Sequence, residues 1–180
     1  MILYYSILYY IYMGYSKKLK VPKKYIPKGL TSKNKQKQKK ELQKSRDNYK
    51  KGIYKTRKKI NSFKSKKSNH VKNAFKIYKI DSMNVNKTLS EKTGCSIGAL
   101  NKILNKGRGA YYSSGSRPNQ TADSWGYARL ASSITGGKSS AVDYNILKDG
   151  CKISSKALKL ANKSKKKHKS GKRKVGKIKI

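Results

Sequence analysis

Acidic residues are scarce in this chain. Seven Asp and Glu stand against 47 Lys and Arg, which gives a formal net charge of +40. Only 35% of the residues are apolar, so long segments bury too little apolar surface to offset the entropy lost on ordering. A chain of this charge repels itself unless something anionic neutralises it, and nucleic acid is the densest anion available. Anionic lipid is the second alternative, and a solvated surface without a partner is the third.

Cysteine and histidine are also scarce, with two of each. Cys95 and Cys151 do not form a Cys-x-x-Cys pair, and His70 and His168 lie in basic segments far from either cysteine. Four such scattered side chains do not make a zinc site, and no cofactor is expected. Two lone cysteines predict reduced thiols in an intracellular or virus-enclosed protein.

Long apolar runs are missing apart from residues 1–12, MILYYSILYYIY. This run is shorter than the about 20 apolar residues of a membrane span. It also lacks the preceding positive charge of a signal peptide. No integral membrane association is therefore expected. One hypothesis is that translation starts at Met13 and that residues 1–12 are a mis-annotated apolar leader.

The positive charge is unevenly distributed, with +23 over residues 1–80, +4 over 81–150 and +13 over 151–180. The distribution predicts a basic, largely extended arm over 13–67, a compact helical domain over 68–150 and a basic tail over 151–180. Thr31 or Ser32 could cap a helix from Lys33 to Arg46, but its apolar stripe is nearly absent, so helicity there would need a partner's phosphates.

The fold class predicted for the middle is mainly α, with a helix-turn-helix-like hairpin, a glycine-rich loop and two further helices, flanked by long disordered basic arms. Ser68 can cap a first helix, whose apolar face comprises Val71, Ala74, Phe75 and Tyr78. Thr88 and Glu91 form a capping box, Gly94 can end that helix, and Ser96 can cap the next. The inward residues of this next helix are Ile97, Leu100 and Leu104.

The outward face of that second helix carries Asn101, Lys102, Asn105 and Lys106. The order of short helix, glycine turn and second helix resembles a helix-turn-helix, in which the second helix enters the major groove. Amide and ammonium groups there could reach base edges or phosphates. The alternative is a helical hairpin that only packs.

Residues 107–117, GRGAYYSSGSR, predict a constrained glycine-rich loop. Arg108 and Arg117 could grip phosphate while Tyr111 and Tyr112 stack on bases. The alternative is a tight turn whose tyrosines fill the core beside Trp125. The serines of this loop have no nearby histidine to act as a base.

Two further helices are predicted over residues 121–150. Thr121 or Asp123 caps the first helix, Arg129 faces outward, and Gly136 and Gly137 stop it. Apolar or small residues recur along this helix at Trp125, Ala128, Ala131 and Ile134. Ser140 and Asp143 begin the second helix, whose inward residues are Val142, Ile146 and Leu147.

The C-terminal tail has no acidic residue. It reads as a disordered histone-like tail or a nuclear localisation signal, the alternative being a solvating tail. Its two densest basic clusters comprise Lys165, Lys166 and Lys167, and Lys172, Arg173 and Lys174.

The segment from Asn105 to Cys151, with GRGAYYSSGSRPNQT followed by SWGYARLASSITGGK, resembles an uncharacterised domain family of nucleocytoplasmic large DNA viruses with relatives in tailed phages of cyanobacteria. The basic leader, with YIPKGL at 25–30 and SFKSK at 62–66, is similar as well. The resemblance implies a viral protein of the virion, the cytoplasmic virus factory or the host nucleus, and it brings no established activity.

These features predict a virion-associated protein that binds and neutralises viral DNA, or RNA, mostly without sequence preference. The alternative is a minor capsid or core protein that links shell proteins to each other or to the genome. No small-molecule substrate and no enzymatic activity are expected. The third possibility, a nuclease, would have to hold its metal with acids of the middle region, namely Glu91, Asp123, Asp143 and Asp149.

Overall fold

The computed structural model describes residues 19–66, 68–169 and 175–180. Its helices are α1 (Ser32–Lys50), α2 (Asn69–Tyr78), α3 (Lys87–Thr93), α4 (Ile97–Ser114), α5 (Ala122–Ile134), α6 (Lys138–Val142), α7 (Tyr144–Gly150) and α8 (Lys156–His168). Two short strands, β1 (Lys20–Pro22) and β2 (Lys177–Lys179), pair antiparallel with Lys20 opposite Lys179. The mainly helical class is confirmed. No helix within the described ranges has the length and hydropathy needed to cross a bilayer.

The main core lies between α4 and α5, which form the most extensive helix pair. Their buried residues include Leu100 and Ile103 from α4 and Leu130 and Ile134 from α5. Helices α2, α7 and α8 cover this pair. The helix predicted after Ser68 is present with Ala74 and Tyr78 buried, and the Tyr78 hydroxyl donates to the Ile134 carbonyl.

Several predicted helix ends are present. Ser96 accepts a hydrogen bond from the Ala99 amide, Gly94 ends α3 with a left-handed φ of 70°, and Thr121 forms a capping box with Ser124. The cap of α3 differs from the prediction. Asn86 rather than Thr88 caps this helix, by accepting a hydrogen bond from the Leu89 amide. Thr88 lies inside the helix.

Residues 107–114 are helical, which corrects the predicted glycine-rich loop. They form the last two turns of α4, and Gly107 lies against α5, where a Cβ would come within 2.6 Å of the Gly126 Cα. The two glycines let the helix axes approach closely, and this contact offsets the low helix propensity of glycine.

The described part of the predicted extended arm is ordered and packed, which corrects that expectation. Thr31 caps α1 by accepting from Asn34, and α1 buries Gln38, Leu42 and Ser45. Leu42 joins a second core with Val21, Tyr25 and Trp125. The buried Gln38 amide donates to the carbonyls of Tyr25 and Ser116, so a polar contact replaces the missing apolar stripe.

The described part of the C-terminal tail is also ordered. Ser155 caps α8 by accepting from the Leu158 amide. Ala157, Leu158 and Ala161 are buried against the main core, so most of this segment is a helix of the domain rather than a disordered tail. Residues 1–12 and Met13 lie outside the described residues.

Two further expectations are corrected within 95–151. Cys95 and Cys151 form a disulfide rather than two free thiols. They face each other across an antiparallel bridge, in which the Ser96 amide donates to the Gly150 carbonyl at 2.7 Å. The apolar residues Ile97 and Val142, predicted to face inward, are 44% and 45% exposed.

The helix predicted from Ser140 is divided into α6 and α7. Ser140 does not cap it, because the buried Ser140 hydroxyl donates to the carbonyls of Ser132 and Ser133. Asp143 lies between the two helices and is buried.

Candidate nucleic-acid interface

Few positive charges are neutralised within the molecule. Among the described residues three ion pairs join side chains, Arg108 with Asp123 and both Lys106 and Arg129 with Asp143. The chain carries 47 cationic side chains and seven carboxylates, so most cations face solvent or an external anion. Where these cations converge indicates where a polyanion can bind.

One surface groove, which we name the central groove, has a volume of about 710 Å³ and lies mainly on α4. Its lining includes Lys102, Asn105 and Lys106, three residues of the outward face predicted from the sequence. Tyr49 of α1 and Ile146 of α7 also line it. The ammonium groups and the Asn105 amide therefore border one open concavity.

A second groove, the strand groove, meets the central groove because Tyr49 and Ser113 line both. Its volume is about 490 Å³. The basic residues along it come from three elements, β1, α1 and β2: Lys20, Arg46, Lys50 and Lys177. Strand pairing and the packing of α1 bring these distant residues together.

A third groove, the tail groove, is formed by residues of α6, α7 and the end of α8. It is lined by Tyr144 and Asn145 of α7 and by the exposed Lys165, Lys166 and Lys169. The Lys165 ammonium lies 3.7 Å from the centroid of the Tyr144 ring. Because Asn145 adjoins Ile146 of the central groove, the two grooves flank the first turn of α7.

A fourth groove, the loop groove, contains Arg117 together with Lys24, Lys64 and Lys66. Phe63 adds an aromatic wall. All four grooves are lined by lysine or arginine, and none has a carboxylate in its lining. These four concave surfaces are therefore basic, which suits phosphate groups.

Two predicted contact residues have internal partners instead. Arg129 was expected to face outward, but its Nε and Nη2 donate to both carboxylate oxygens of Asp143 at 2.9 and 2.7 Å. Arg108 donates to Asp123 at 2.7 Å and to the Asn105 side chain at 3.1 Å. These guanidinium groups position α4 and α5, which corrects the outward role of Arg129.

Tyr111 cannot stack on a base, which corrects the prediction for that residue. Its side chain is fully buried, and its hydroxyl accepts a hydrogen bond from the Arg57 amide at 3.1 Å. The Arg57 guanidinium lies 3.7 Å from the Tyr111 ring centroid and donates to the Tyr111 carbonyl. Burial lowers the pKa of Arg57, and the neighbouring Tyr111 opposes that shift.

The remaining predicted residues are dispersed. Asn101 and Lys167 are exposed on α4 and α8 but do not line the four grooves. Tyr112 is partly buried in a cluster with two other tyrosines. The second tail cluster, Lys172, Arg173 and Lys174, lies outside the described residues.

Sequence reasoning missed the contribution of α1 and the segment after it. Tyr49, Lys50 and Arg46 line grooves, and Tyr54 is 63% exposed beside them. The available signal is the pair of tyrosines among lysines over residues 49–55, YKKGIYK, since aromatic rings beside positive charge are typical of surfaces that bind single-stranded nucleic acid. These residues fall within the segment that the sequence predicts to be a basic, largely extended arm.

The acids considered for a metal do not converge. Within the described ranges no group of three His, Cys, Asp or Glu side chains lies close enough to hold a metal ion. Both oxygens of Asp143 accept hydrogen bonds from Arg129, and Ser133 donates to Oδ2 at 2.9 Å. Asp143 is therefore the anion of a buried ion pair.

Comparisons with known proteins add one result. Neither the curated proteins nor the solved structures include a match to this chain. The family of unknown function DUF5824 matches residues 22–150, from the end of β1 to the end of α7, and leaves α8 and β2 outside the match. Because the match covers more than half of the sequence, the chain belongs to the family DUF5824.

Proposed function

We propose that this protein binds nucleic acid along its basic grooves and neutralises phosphate, largely without sequence preference. The observation that supports this most directly is the lining of the four grooves, which is basic and free of carboxylates. Released counterions favour each contact between a lysine and a phosphate, so such a surface binds polyanions strongly at low salt.

The path of the nucleic acid runs from the strand groove through the central groove to the tail groove. Tyr49 and Ser113 connect the first two, and the first turn of α7 separates the last two. Backbone contacts dominate this path because its charged groups are mostly lysines, which act as point charges. Asn105 is the one amide in the central groove that could read a base edge.

The resemblance of the segment from Asn105 to Cys151 to proteins of large DNA viruses and phages makes viral DNA, or RNA, the expected natural partner. A protein that coats viral nucleic acid would act in the virion, in the cytoplasmic virus factory or in the nucleus. It would need no cofactor and no small-molecule substrate.

The test compares two triple variants with equal loss of charge. The groove variant carries Lys102→Ala, Lys165→Ala and Lys166→Ala, all exposed groove residues. The matched control carries Lys72→Ala, Lys76→Ala and Lys87→Ala, which are exposed on α2 and α3 and line none of the four grooves. Lys106 is left intact because it pairs with the buried Asp143.

Affinity for a labelled DNA duplex and for a single strand is measured as a function of salt concentration. We expect the groove variant to flatten the slope of log affinity against log salt by about 2 to 3, since each lost phosphate contact accounts for about 0.7 to 0.9. The control should change the slope by less than 1, again at about 0.7 to 0.9 per contact.

Equal changes in both variants would contradict a groove path. If the protein bound neither DNA nor RNA at low salt but bound an acidic shell protein tightly, the proposal would fail in favour of a capsid or core linker.

A further inference from the structure

Three tyrosine rings form a cluster, and one of them, Tyr49, lines both the central and the strand groove. Tyr49 lies in the last turn of α1, Tyr54 lies in the segment after it, and Tyr112 lies in the last turn of α4. Tyr54 packs edge-on against both others, with ring centroids 5.8 Å from Tyr49 and 5.3 Å from Tyr112. The rings of Tyr49 and Tyr112 are nearly parallel, at 8° and 6.4 Å.

The cluster has a rigid base and an exposed top. The buried Tyr111 ring packs edge-on against Tyr112 with centroids 5.0 Å apart, and the Arg57 guanidinium lies over the Tyr111 ring at 3.7 Å. Tyr54, in contrast, is 63% exposed, and its neighbour Ile53 is 40% exposed. A ring this exposed contributes little to the core, yet its neighbours hold it in place.

The charges around the cluster are those of a nucleic-acid path. Tyr49 lines both grooves, together with Lys102 of the central groove and Arg46 and Lys50 of the strand groove. The rings of Tyr54 and Tyr112 pack against Tyr49. Neither groove has a carboxylate in its lining. A strand whose phosphates follow these cations brings its bases within reach of the rings.

We propose that this tyrosine cluster is a stacking platform for unpaired bases, so that the protein prefers single-stranded nucleic acid to duplex; this rests on the proposed function. Aromatic side chains stack on unpaired bases regardless of sequence, because every base has a π face. In a duplex those faces are covered by the neighbouring base pairs, and only phosphates remain for the lysines. The platform therefore adds affinity for single strands alone.

The test uses three labelled ligands of equal length: an oligothymidine strand, an abasic strand and a DNA duplex. The abasic strand keeps the phosphates and removes the bases, so it isolates stacking without any change to the protein. We expect the oligothymidine strand to bind the wild-type protein about 5- to 150-fold more tightly than the abasic strand, the range for stacking one base.

Variants then locate the stacking. Tyr54→Ala should remove most of the difference between oligothymidine and the abasic strand, whereas Tyr54→Phe, which keeps the ring, should retain it. Lys102→Ala is the matched control, because losing a phosphate contact should weaken binding of all three ligands by a similar factor. Thermal unfolding of each variant tests whether the fold is kept.

The outcomes separate this proposal from the proposed function. Equal affinity of the wild-type protein for oligothymidine and the abasic strand would overturn the stacking platform while leaving phosphate binding in place. A base preference that survives Tyr54→Ala would overturn the assignment to this cluster. Failure to bind any of the three ligands would instead refute the proposed function.

Discussion

At the scale of single residues, the buried carboxylate of Asp143 connects several helices through ion pairs. The Asp143 side chain is inaccessible to solvent and binds Arg129, which is 20% exposed, and Lys106, which is 47% exposed. Burial by itself raises the pKa of Asp143, but hydrogen bonds from Arg129 and Lys106 and their positive charges lower it below its ordinary value. One carboxylate thus connects α4, α5 and the junction of α6 and α7.

We expect Asp143→Asn to lower the free energy of unfolding by about 3 to 5 kcal/mol, because it leaves the Arg129 guanidinium without its anionic partner. The folded-state pKa of Asp143 lies below its unfolded value, so its contribution is complete above the unfolded pKa of about 3.9 and is lost as the pH falls through the folded pKa. Urea unfolding between neutral pH and about pH 3 measures both effects.

A wild-type protein that lost no more stability in acid than Asp143→Asn would contradict this role. Asp149→Asn is the control: it changes the same group on the neighbouring helix, at an exposed position without an ion pair among the three found in the described residues. It should alter stability by less than about 0.5 kcal/mol.

At the scale of elements, the crossing of α4 and α5 depends on two glycines. A Cβ on Gly107 would lie 2.6 Å from the Gly126 Cα, and one on Gly126 would lie 2.8 Å from the Leu104 Cδ1 and 3.0 Å from the Leu104 carbonyl oxygen. The Gly126 Cα and the Leu104 carbonyl oxygen are backbone atoms, which cannot move without separating the helices. Gly107, the first glycine of the GRG motif, and Gly126 of SWGYAR therefore serve helix packing.

We expect Gly107→Ala to lower the free energy of unfolding by about 1 to 3 kcal/mol, the typical cost of overpacking a tight core. Gly98→Ala on the same helix is the matched control, because nothing lies within 4 Å of its added Cβ. That change should raise stability by about 0.5 to 1 kcal/mol through helix propensity. Thermal unfolding of both variants measures these changes. A Gly107→Ala protein more stable than the wild type would refute the packing role.

The disulfide connects two other elements, the α3–α4 turn and the segment after α7. Cys95 and Cys151 are 56 residues apart in sequence and are both buried. Linking them shortens the unfolded chain and so lowers its entropy.

Reduction of this disulfide should lower the free energy of unfolding by about 2 to 4 kcal/mol. Urea unfolding with and without a thiol reductant measures the difference. The double variant Cys95→Ala, Cys151→Ala is the control, since its stability should not respond to reductant. Identical curves for the oxidised and reduced wild-type protein would contradict the prediction.

At the scale of the whole molecule, like charges repel one another across the surface. With a net charge of +40 and three side-chain ion pairs in the described part, the fold carries a large unscreened repulsion at low salt. Salt shortens the Debye length from about 10 Å at 0.1 M to about 3 Å at 1 M. Screening stabilises the folded state more than the unfolded state, because the compact fold holds these charges closest together.

The melting temperature should therefore rise with sodium chloride over this range, and addition of nucleic acid at low salt should raise it as well. The Lys72, Lys76 and Lys87 triple variant is the control, since its lower charge should make its melting temperature less sensitive to salt. A melting temperature that fell with added salt would show that attractive charge pairs dominate instead.

The sequence by itself determined the properties that depend on neighbours along the chain. The Ser96 and Thr121 caps, the left-handed Gly94 and the exposed face of Lys102 and Asn105 follow from residue type and helical spacing. The basic character of the surface follows from composition alone. These features need no information about distant residues.

Only the tertiary structure decided the rest, because each remaining feature depends on contacts between distant residues. The buried Gln38 amide donates hydrogen bonds to the carbonyls of Tyr25 and Ser116. These contacts let a lysine-rich segment without an apolar stripe pack as a helix. Gly107 stays helical because α5 lies against it. The grooves likewise arise where α1, α4, α7 and α8 bring together lysines that are far apart in sequence.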